Sequence, residues 1–161
     1  MSDLQKFMES WYAKGSPIRP PFEHAVHCTD MAYALTIYRE GQYQIELYTC
    51  LPNTETKVHS HPGIESIAVY LAGNLSFARM GGQFRDLSQY QKAAPDGTHM
   101  LLGKFVDSVD GTDHALRVHK EGGAFLLFQK WHDKTPTSVA IEYDGQTLGH
   151  IHDETIKNAM E

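Results

Sequence analysis

Short alternating segments separated by turn residues constrain the fold of this chain more than any other feature of its sequence. After a turn at Gly41, the stretch YQIELY alternates apolar with polar residues. The apolar positions are Tyr43, Ile45 and Leu47. Gln44 and Glu46 occupy the opposite face, and this period of two predicts a β-strand with two distinct faces.

Further strand candidates follow at short intervals. IESIAVYLAGNLSFARMGGQF reads as two strands joined at Ala72–Gly73–Asn74, with a turn after them at Gly81–Gly82. The remaining candidates are ALTIYRE, GKFVDSV, HALRV, GAFLLFQKW and TSVAIEY. Many short strands with frequent turns predict an all-β sandwich or barrel.

Before the strands, residues 2–14 have apolar side chains at helical spacing: Leu4, Phe7, Met8, Trp11 and Tyr12. Ser2 or Asp3 is the expected N-cap, and Gly15 the expected stop. The proline-rich SPIRPPFE must be extended. The polar stretch 88–101 reads as an inserted surface loop, and the segment from about Asp153 as a short helix or a tail.

A chain of 161 residues predicts one domain over 1–161. Within it we expect an N-terminal helix and Pro-rich arm over 1–30, a barrel over 31–145 and a C-terminal tail over 146–161.

Composition narrows the class of protein. A net charge of -6 with scattered basic residues argues against a nucleic-acid partner. Cys28 and Cys50 are expected to be free thiols, and no signal peptide or membrane-spanning stretch is expected. These features predict a cytoplasmic protein with no membrane partner.

The stretch HSHPGIE, residues 59–65, has the residue types of a metal site. His59 and His61 lie two apart, so in a strand they point the same way. After a turn, Glu65 shares a face with Ile67 and other apolar residues, a face that we expect to be the interior. A buried carboxylate needs a partner, and a divalent ion held with two imidazoles would supply it.

A second segment, GKFVDSVDGTDHALRV, completes a resemblance to the cupins, which are small β-barrel proteins. Their motifs are G(x)5HxH(x)3-4E(x)6G and G(x)5PxG(x)2H(x)3N. His59, His61 and Glu65 match the first, and the spacing from Gly103 to His114 matches the second. The resemblance covers about residues 42–131 and implies a double-stranded β-helix (jelly-roll) barrel. This sequence departs from the motifs in having Asn53 for Gly, Gly73 one position late, Val109 for Pro and Val118 for Asn.

The resemblance implies four metal ligands: His59, His61, Glu65 and His114. His99, in PDGTH, is the alternative to His114, but it is one residue short of the motif. His114 is preferred because Leu116 and Val118 share its face.

Such a ligand set leaves open sites on Fe(II), Mn(II), Ni(II) or Co(II), with Zn(II) as a further candidate. The expected function is a non-haem Fe(II) dioxygenase acting on a small molecule. The alternatives are a Lewis-acid isomerase, lyase or cyclase, and a non-catalytic binding protein. The resemblance also implies a homodimer, with residues 2–23 suited to the interface.

The other histidines have weaker expected roles. His24 and His27, with Cys28, are candidates for a second ion. His150 and His152 are expected on a solvated face, and His119 is expected to point outward. His132 is expected to reach the barrel mouth.

Overall fold

The structure is a computed structural model of the chain, and it describes residues 2–19, 26–28, 32–56, 63–79, 83–89, 104–107, 114–132, 135–136, 142–143 and 146–147. Among these residues, no helix is long and apolar enough to cross a bilayer.

The N-terminal helix α1 spans Asp3–Ala13 and confirms the prediction. Ser2 is its N-cap, because the Ser2 Oγ accepts a hydrogen bond from the backbone N–H of Gln5 at 3.1 Å. The chain leaves the helix through Gly15, whose φ of +86° suits glycine. The inner face of α1 buries Leu4, Met8 and Trp11.

The rest of the described chain is almost entirely β-structure. Its strands are β1 Val26–Cys28, β2 Ala32–Glu40, β3 Tyr43–Cys50, β4 Thr54–Glu55, β5 Ile64–Arg79, β6 Arg85–Asp86, β7 Lys104–Asp107, β8 His114–Trp131, β9 Glu142–Tyr143 and β10 Gln146–Thr147. The predicted loop 88–101 begins within a short 3-10 turn, Leu87–Gln89, and then lies outside the described residues. The first two residues of the tail predicted over 146–161 form β10, which pairs with β9, and the predicted helix or tail from about Asp153 lies outside the described residues.

Two long strands form the centre of the fold. β5 and β8 pair antiparallel from Ile64↔Trp131 to Arg79↔His114. The sequence predicted two separate strands in each of these segments, and that prediction was wrong, because both strands continue through a corner. At the corner Gly73 has a φ of +80°, and a Cβ there would collide with the backbone of Gly122 and Gly123. Glycines therefore let two strands bend together without a chain reversal.

The corner divides the β-structure into two halves that face each other. One half contains β2, β3 and β7 with the neighbouring parts of β5 and β8, and the other contains β4 and β6 with the remaining parts. One buried cluster includes residues of both halves: Ala34, Tyr48, Cys50, Ala68, Leu75, Phe77, Leu87, Leu116, Val118 and Phe125. Such a folded antiparallel sheet is a jelly-roll barrel, and the predicted fold class is confirmed.

Helix α1 covers the outer face of the first half. A second buried cluster joins Leu4, Met8 and Trp11 to Ile37, Tyr38, Ile45, Ile67, Leu126 and Phe128. The Trp11 and Phe128 rings meet edge to face with centroids 5.5 Å apart. Both faces of this half of the sheet are therefore buried.

This coverage overturns one expectation from the sequence. The face carrying Ile67 and Val69 was expected to be the interior, but both residues pack in the cluster under α1. The barrel interior instead receives Ala68 and Tyr70. An apolar face does not identify the interior when a helix covers the outside of the sheet.

Candidate functional site

The end of the barrel opposite the glycine corner brings several polar side chains together. Because β5 and β8 both bend at the corner, Ile64 and Trp131 of one half lie at the same end as Arg79 and His114 of the other. We call this end, away from Gly73 and Gly122, the open end of the barrel.

His114 faces the interior at this end. Its side chain is buried, and it lies on the same face of β8 as Leu116 and Val118. The imidazole centroid is 6.4 Å from that of Phe77, whose ring meets Phe125 at 5.8 Å. His114 therefore faces the barrel interior.

His59 and His61 lie outside the described residues, but the chain on either side of them is anchored. Before them, the Thr56 N–H donates to the Leu116 carbonyl at 2.9 Å, and the Leu116 N–H donates to the Thr56 Oγ1 at 2.9 Å. After them, the His132 N–H donates to the Gly63 carbonyl at 2.9 Å. The HSHP segment thus connects the half that carries His114 to the half that carries Glu65.

Glu65 is the second residue of β5 and sits at the open end. Its register partner is Lys130, and alternation puts its Cβ on the α1 side of the sheet. Its carboxylate Oε2 lies 2.6 Å from the His132 Nε2, and about a quarter of its side chain is exposed. His132 therefore lies beside Glu65, in agreement with the expectation that it would reach the barrel mouth.

A row of polar side chains on the interior face was not anticipated from the sequence. Its members come from four adjacent strands: Thr36, Arg39, Gln44, Glu46, Ser66 and Gln129. Gln44, Glu46 and Gln129 are at most 1% exposed. The alternation in YQIELY does place Gln44 and Glu46 on one face of the strand. The sequence does not indicate that this face is the barrel interior.

The members of this polar row are joined by hydrogen bonds. The Gln44 Nε2 donates to the Gln129 Oε1 at 3.0 Å and to the Glu46 Oε1 at 3.3 Å. The Arg39 Nε donates to the Gln44 Oε1 at 2.8 Å, and the Trp131 Nε1 donates to the Gln129 Oε1 at 3.0 Å. These bonds make the burial of the Gln44 and Gln129 amides tolerable, whereas the buried Thr36 Oγ1 has no hydrogen-bond partner among the described atoms.

Burial changes the acid–base properties of the interior. It raises the pKa of the Glu46 carboxyl from 4.5 to about 8, while hydrogen bonds from Gln44 and Gln129 and the charge of Arg39 act in the opposite direction. Burial also raises the pKa of the Cys50 thiol to about 12. Cys50 is a free, buried cysteine, as predicted.

The remaining predicted histidines divide into two groups. His119 points away from the interior, as expected, and its Nε2 lies 3.1 Å from the Ser76 Oγ. His24, His99, His150 and His152 lie outside the described residues, as does the side chain of His27. Within the described ranges, no three His, Cys, Asp or Glu side chains converge as a metal site, and two of the four predicted ligands lie beyond those ranges.

Comparison with known proteins finds the same architecture. No protein-family model and no curated protein matches the sequence. The DMSP lyase DddQ of Ruegeria pomeroyi DSS-3 has a TM-score of 0.50 at 15% identity, over 84% of this chain and 68% of its own. A cupin superfamily protein of Desulfitobacterium hafniense DCB-2 has a TM-score of 0.45 at 11% identity, over 66% of this chain and 82% of its own. A cupin-2 domain protein of Rhodospirillum rubrum has a TM-score of 0.47 at 12% identity, over 74% of this chain and 73% of its own. At these identities the likeness is one of fold.

Proposed function

The chain is a cupin by fold, and on that premise we propose that it is a metal-dependent enzyme acting on a small organic molecule. We propose a non-haem Fe(II) dioxygenase as its activity. The observation that carries the proposal is the position of His114, a buried imidazole facing the interior at the open end. The chain that leads into His59 pairs with β8 two residues from His114.

We propose His59, His61, Glu65 and His114 as the ligands. His114 and Glu65 carry donor types that Fe(II), Mn(II), Co(II), Ni(II) and Zn(II) accept. Because the Glu65 Cβ lies on the α1 side of the sheet and His114 faces the interior, the proposal requires the Glu65 carboxylate to reach around the edge of the barrel at the open end. His132 holds one carboxylate oxygen of Glu65, and carboxylates that bind metals are commonly hydrogen-bonded in this way. When bound, the ion would supply open coordination positions and residual positive charge to the substrate.

One observation favours a second candidate, a Lewis-acid isomerase, lyase or cyclase. A Lewis-acid reaction that moves a proton needs an acid–base group besides the metal ligands. Glu46 is a buried carboxyl on the interior face, and burial raises its pKa to about 8, which is in the range of a general acid at neutral pH. A proton-transfer reaction would use this group, whereas the dioxygenase would not need it.

Metal analysis with matched variants tests the ligand set. We expect the purified protein to contain about one metal ion, and His61→Ala and His114→Ala each to lose most of it, because each removes an imidazole ligand. His99→Ala is the control and should keep the metal. If His99→Ala empties the site while His114→Ala does not, the ligand set is wrong.

Aerobic and anaerobic assays on a panel of small acids separate the two activities. Iron content with substrate-dependent oxygen uptake supports the dioxygenase. Turnover under argon with Mn(II) or Ni(II) supports the Lewis-acid reaction. Tight binding of a small molecule without any turnover would contradict both and leave the binding protein.

We also propose a cytoplasmic homodimer. The free thiol of Cys50 supports a reducing compartment, and the exposed apolar side chain of Ile18 lies within residues 2–23, the segment proposed for the dimer interface. Helix α1 packs on its own barrel, so its buried face does not take part. Light scattering that gives the mass of a monomer at micromolar concentration would contradict the dimer.

A further inference from the structure

Strand β4 ends at an irregular hydrogen-bonded pair. The register of β4 against β8 places Thr56 opposite Leu116, because Glu55 pairs with Arg117 just before it. In a regular antiparallel ladder, a hydrogen-bonded pair exchanges two bonds between backbone N–H and C=O groups. Here the Thr56 N–H donates to the Leu116 carbonyl at 2.9 Å, but the Leu116 N–H donates to the Thr56 Oγ1, also at 2.9 Å. The side-chain hydroxyl thus takes the place of the Thr56 carbonyl.

This exchange ends the strand without leaving a buried donor unpaired. Leu116 is buried, so its N–H needs a partner. The hydroxyl supplies that partner while the Thr56 carbonyl leaves the ladder, and β4 ends at Glu55. Residues 57–62, which follow, contain His59 and His61. Within the described chain, Thr56 is therefore the last point at which the sheet holds the strand before these two histidines.

The same hydrogen bond bears on His114. Strand β8 begins at His114, and the ends of strands open more readily than their centres. Leu116 follows two residues later, and its buried side chain shares the interior face with His114. Thr56 binds both backbone groups of Leu116. Loss of the hydroxyl would therefore loosen the end of β8 that directs His114 inward.

We propose that Thr56 is a positioning residue of the candidate metal site. By accepting the Leu116 N–H, its hydroxyl holds the first residues of β8 in the sheet and keeps the His114 imidazole buried and facing the interior. Thr56 acts through Leu116 and His114 rather than as a ligand. This inference rests on the proposed function, because it assigns a role toward the same metal site.

Four threonine variants isolate the contribution of the hydroxyl. Thr56→Val keeps the shape of the side chain and removes the acceptor, and Thr56→Ala serves if the valine variant does not fold. Thr56→Ser restores the hydroxyl and should behave as the wild type. Thr54→Val is the matched control in the same strand, because the Thr54 Oγ1 also makes one hydrogen bond, donating to the Leu51 carbonyl at 2.8 Å.

The first measurement needs no metal. Metal-stripped proteins are treated with diethyl pyrocarbonate, which acylates accessible imidazoles, and modification of His114 is quantified by peptide mass spectrometry. We expect His114 to react about five- to tenfold faster in Thr56→Val than in the wild type, because the lost hydrogen bond makes local opening easier. Hydrogen exchange of the Leu116 amide should accelerate by a similar factor. Wild-type rates in Thr56→Val, or an equal acceleration in Thr54→Val, would overturn the inference.

The second measurement is metal affinity, by competition with a chromophoric chelator. Thr56→Val should bind metal roughly tenfold more weakly than the wild type, whereas Thr56→Ser and Thr54→Val should match it. Urea unfolding of the stripped proteins should show similar losses of stability for the two valine variants, since each loses one hydrogen bond. A role of Thr56 in overall stability alone would leave metal affinity and His114 reactivity at their wild-type values, and that result would overturn the inference.

The two proposals fail separately. If the wild type binds no metal but His114 becomes reactive in Thr56→Val, the proposed enzyme fails and the role of Thr56 in holding His114 stands. If metal binding depends on His114 but Thr56→Val binds metal as tightly as the wild type and keeps His114 unreactive, the positioning role fails and the metal site stands.

Discussion

Glu46 gives the stability of this protein a pH dependence that can be worked out from its surroundings. The folded state holds the carboxyl proton up to about pH 8, whereas the unfolded chain releases it near the ordinary value of 4.5. Between these two pH values, unfolding releases one proton. Raising the pH therefore favours the unfolded state, and the contribution of Glu46 is greatest at low pH.

The expected effect is large for a single side chain. Each pH unit within this interval lowers the free energy of unfolding by roughly 1.4 kcal/mol. At pH 7 the accumulated loss is about 3 kcal/mol relative to acidic solution. This is a sizeable part of the total stability of a typical domain, which is about 5–15 kcal/mol.

Glu46→Gln removes the ionisable group and keeps its shape. An amide oxygen still accepts hydrogen bonds from Gln44 and Gln129, so the row can remain intact. We expect the variant to match the wild type near pH 4 and to exceed it by about 3 kcal/mol at pH 7. Titration of the histidines is common to both proteins and cancels in the difference.

Urea unfolding of metal-stripped protein measures this difference. Trp11 and Trp131 are buried and would report unfolding by fluorescence at a series of pH values. Glu55→Gln is the matched control, because the Glu55 side chain is 48% exposed and pairs with Arg117. Its profile should parallel that of the wild type. Parallel profiles for Glu46→Gln and the wild type would mean that Glu46 is ionised in the folded protein, and the reasoning would be refuted.

Two further predictions concern the corner and the open end. Gly73→Ala should lower the free energy of unfolding by about 3 kcal/mol, because the new Cβ meets the backbone of Gly122. Gly63→Ala, whose Cβ would have open space at a φ of +83°, should cost only about 1 kcal/mol, and equal losses in urea unfolding would contradict the corner argument. His132→Ala should weaken metal binding by roughly tenfold, because His132 orients the Glu65 carboxylate. Competition with a chromophoric chelator measures this affinity, and His119→Ala should leave it unchanged.

Sequence signals that act within a few residues were sufficient to predict individual helices and turns. Ser2, the helical spacing from Leu4 to Trp11 and Gly15 predicted helix α1, and all three act within a few residues. Gly41 likewise predicted the turn between β2 and β3. The turn residues at Gly73 and Gly122 marked real bends, but the sequence does not indicate that the two bends pack on each other. That contact joins residues far apart in the chain. Because of it, the four strands expected from the sequence form two continuous strands, β5 and β8.

The prediction of which strand face lines the barrel interior was wrong for a similar reason. Alternation identified two faces on β3 and β5, but it does not indicate which face meets the helix and which meets the other half of the barrel. Because α1 supplies an apolar partner outside, the more apolar face of β5 became the outer one. The polar positions of β3 were then directed inward, so the row around Gln44 and Glu46 was missed.

The position of α1 also accounts for how this chain tolerates a polar interior. Buried networks of charged and amide groups contribute little net stability, and well-packed apolar residues in their place are often more stabilising. Here the outer cluster under α1 buries a tryptophan, a tyrosine and a phenylalanine on the outer face of the sheet. At roughly 1.5–3 kcal/mol for each large apolar side chain removed from water, that cluster offsets what the interior row does not provide. A second core on the outside therefore accounts for how the barrel tolerates a polar row inside it.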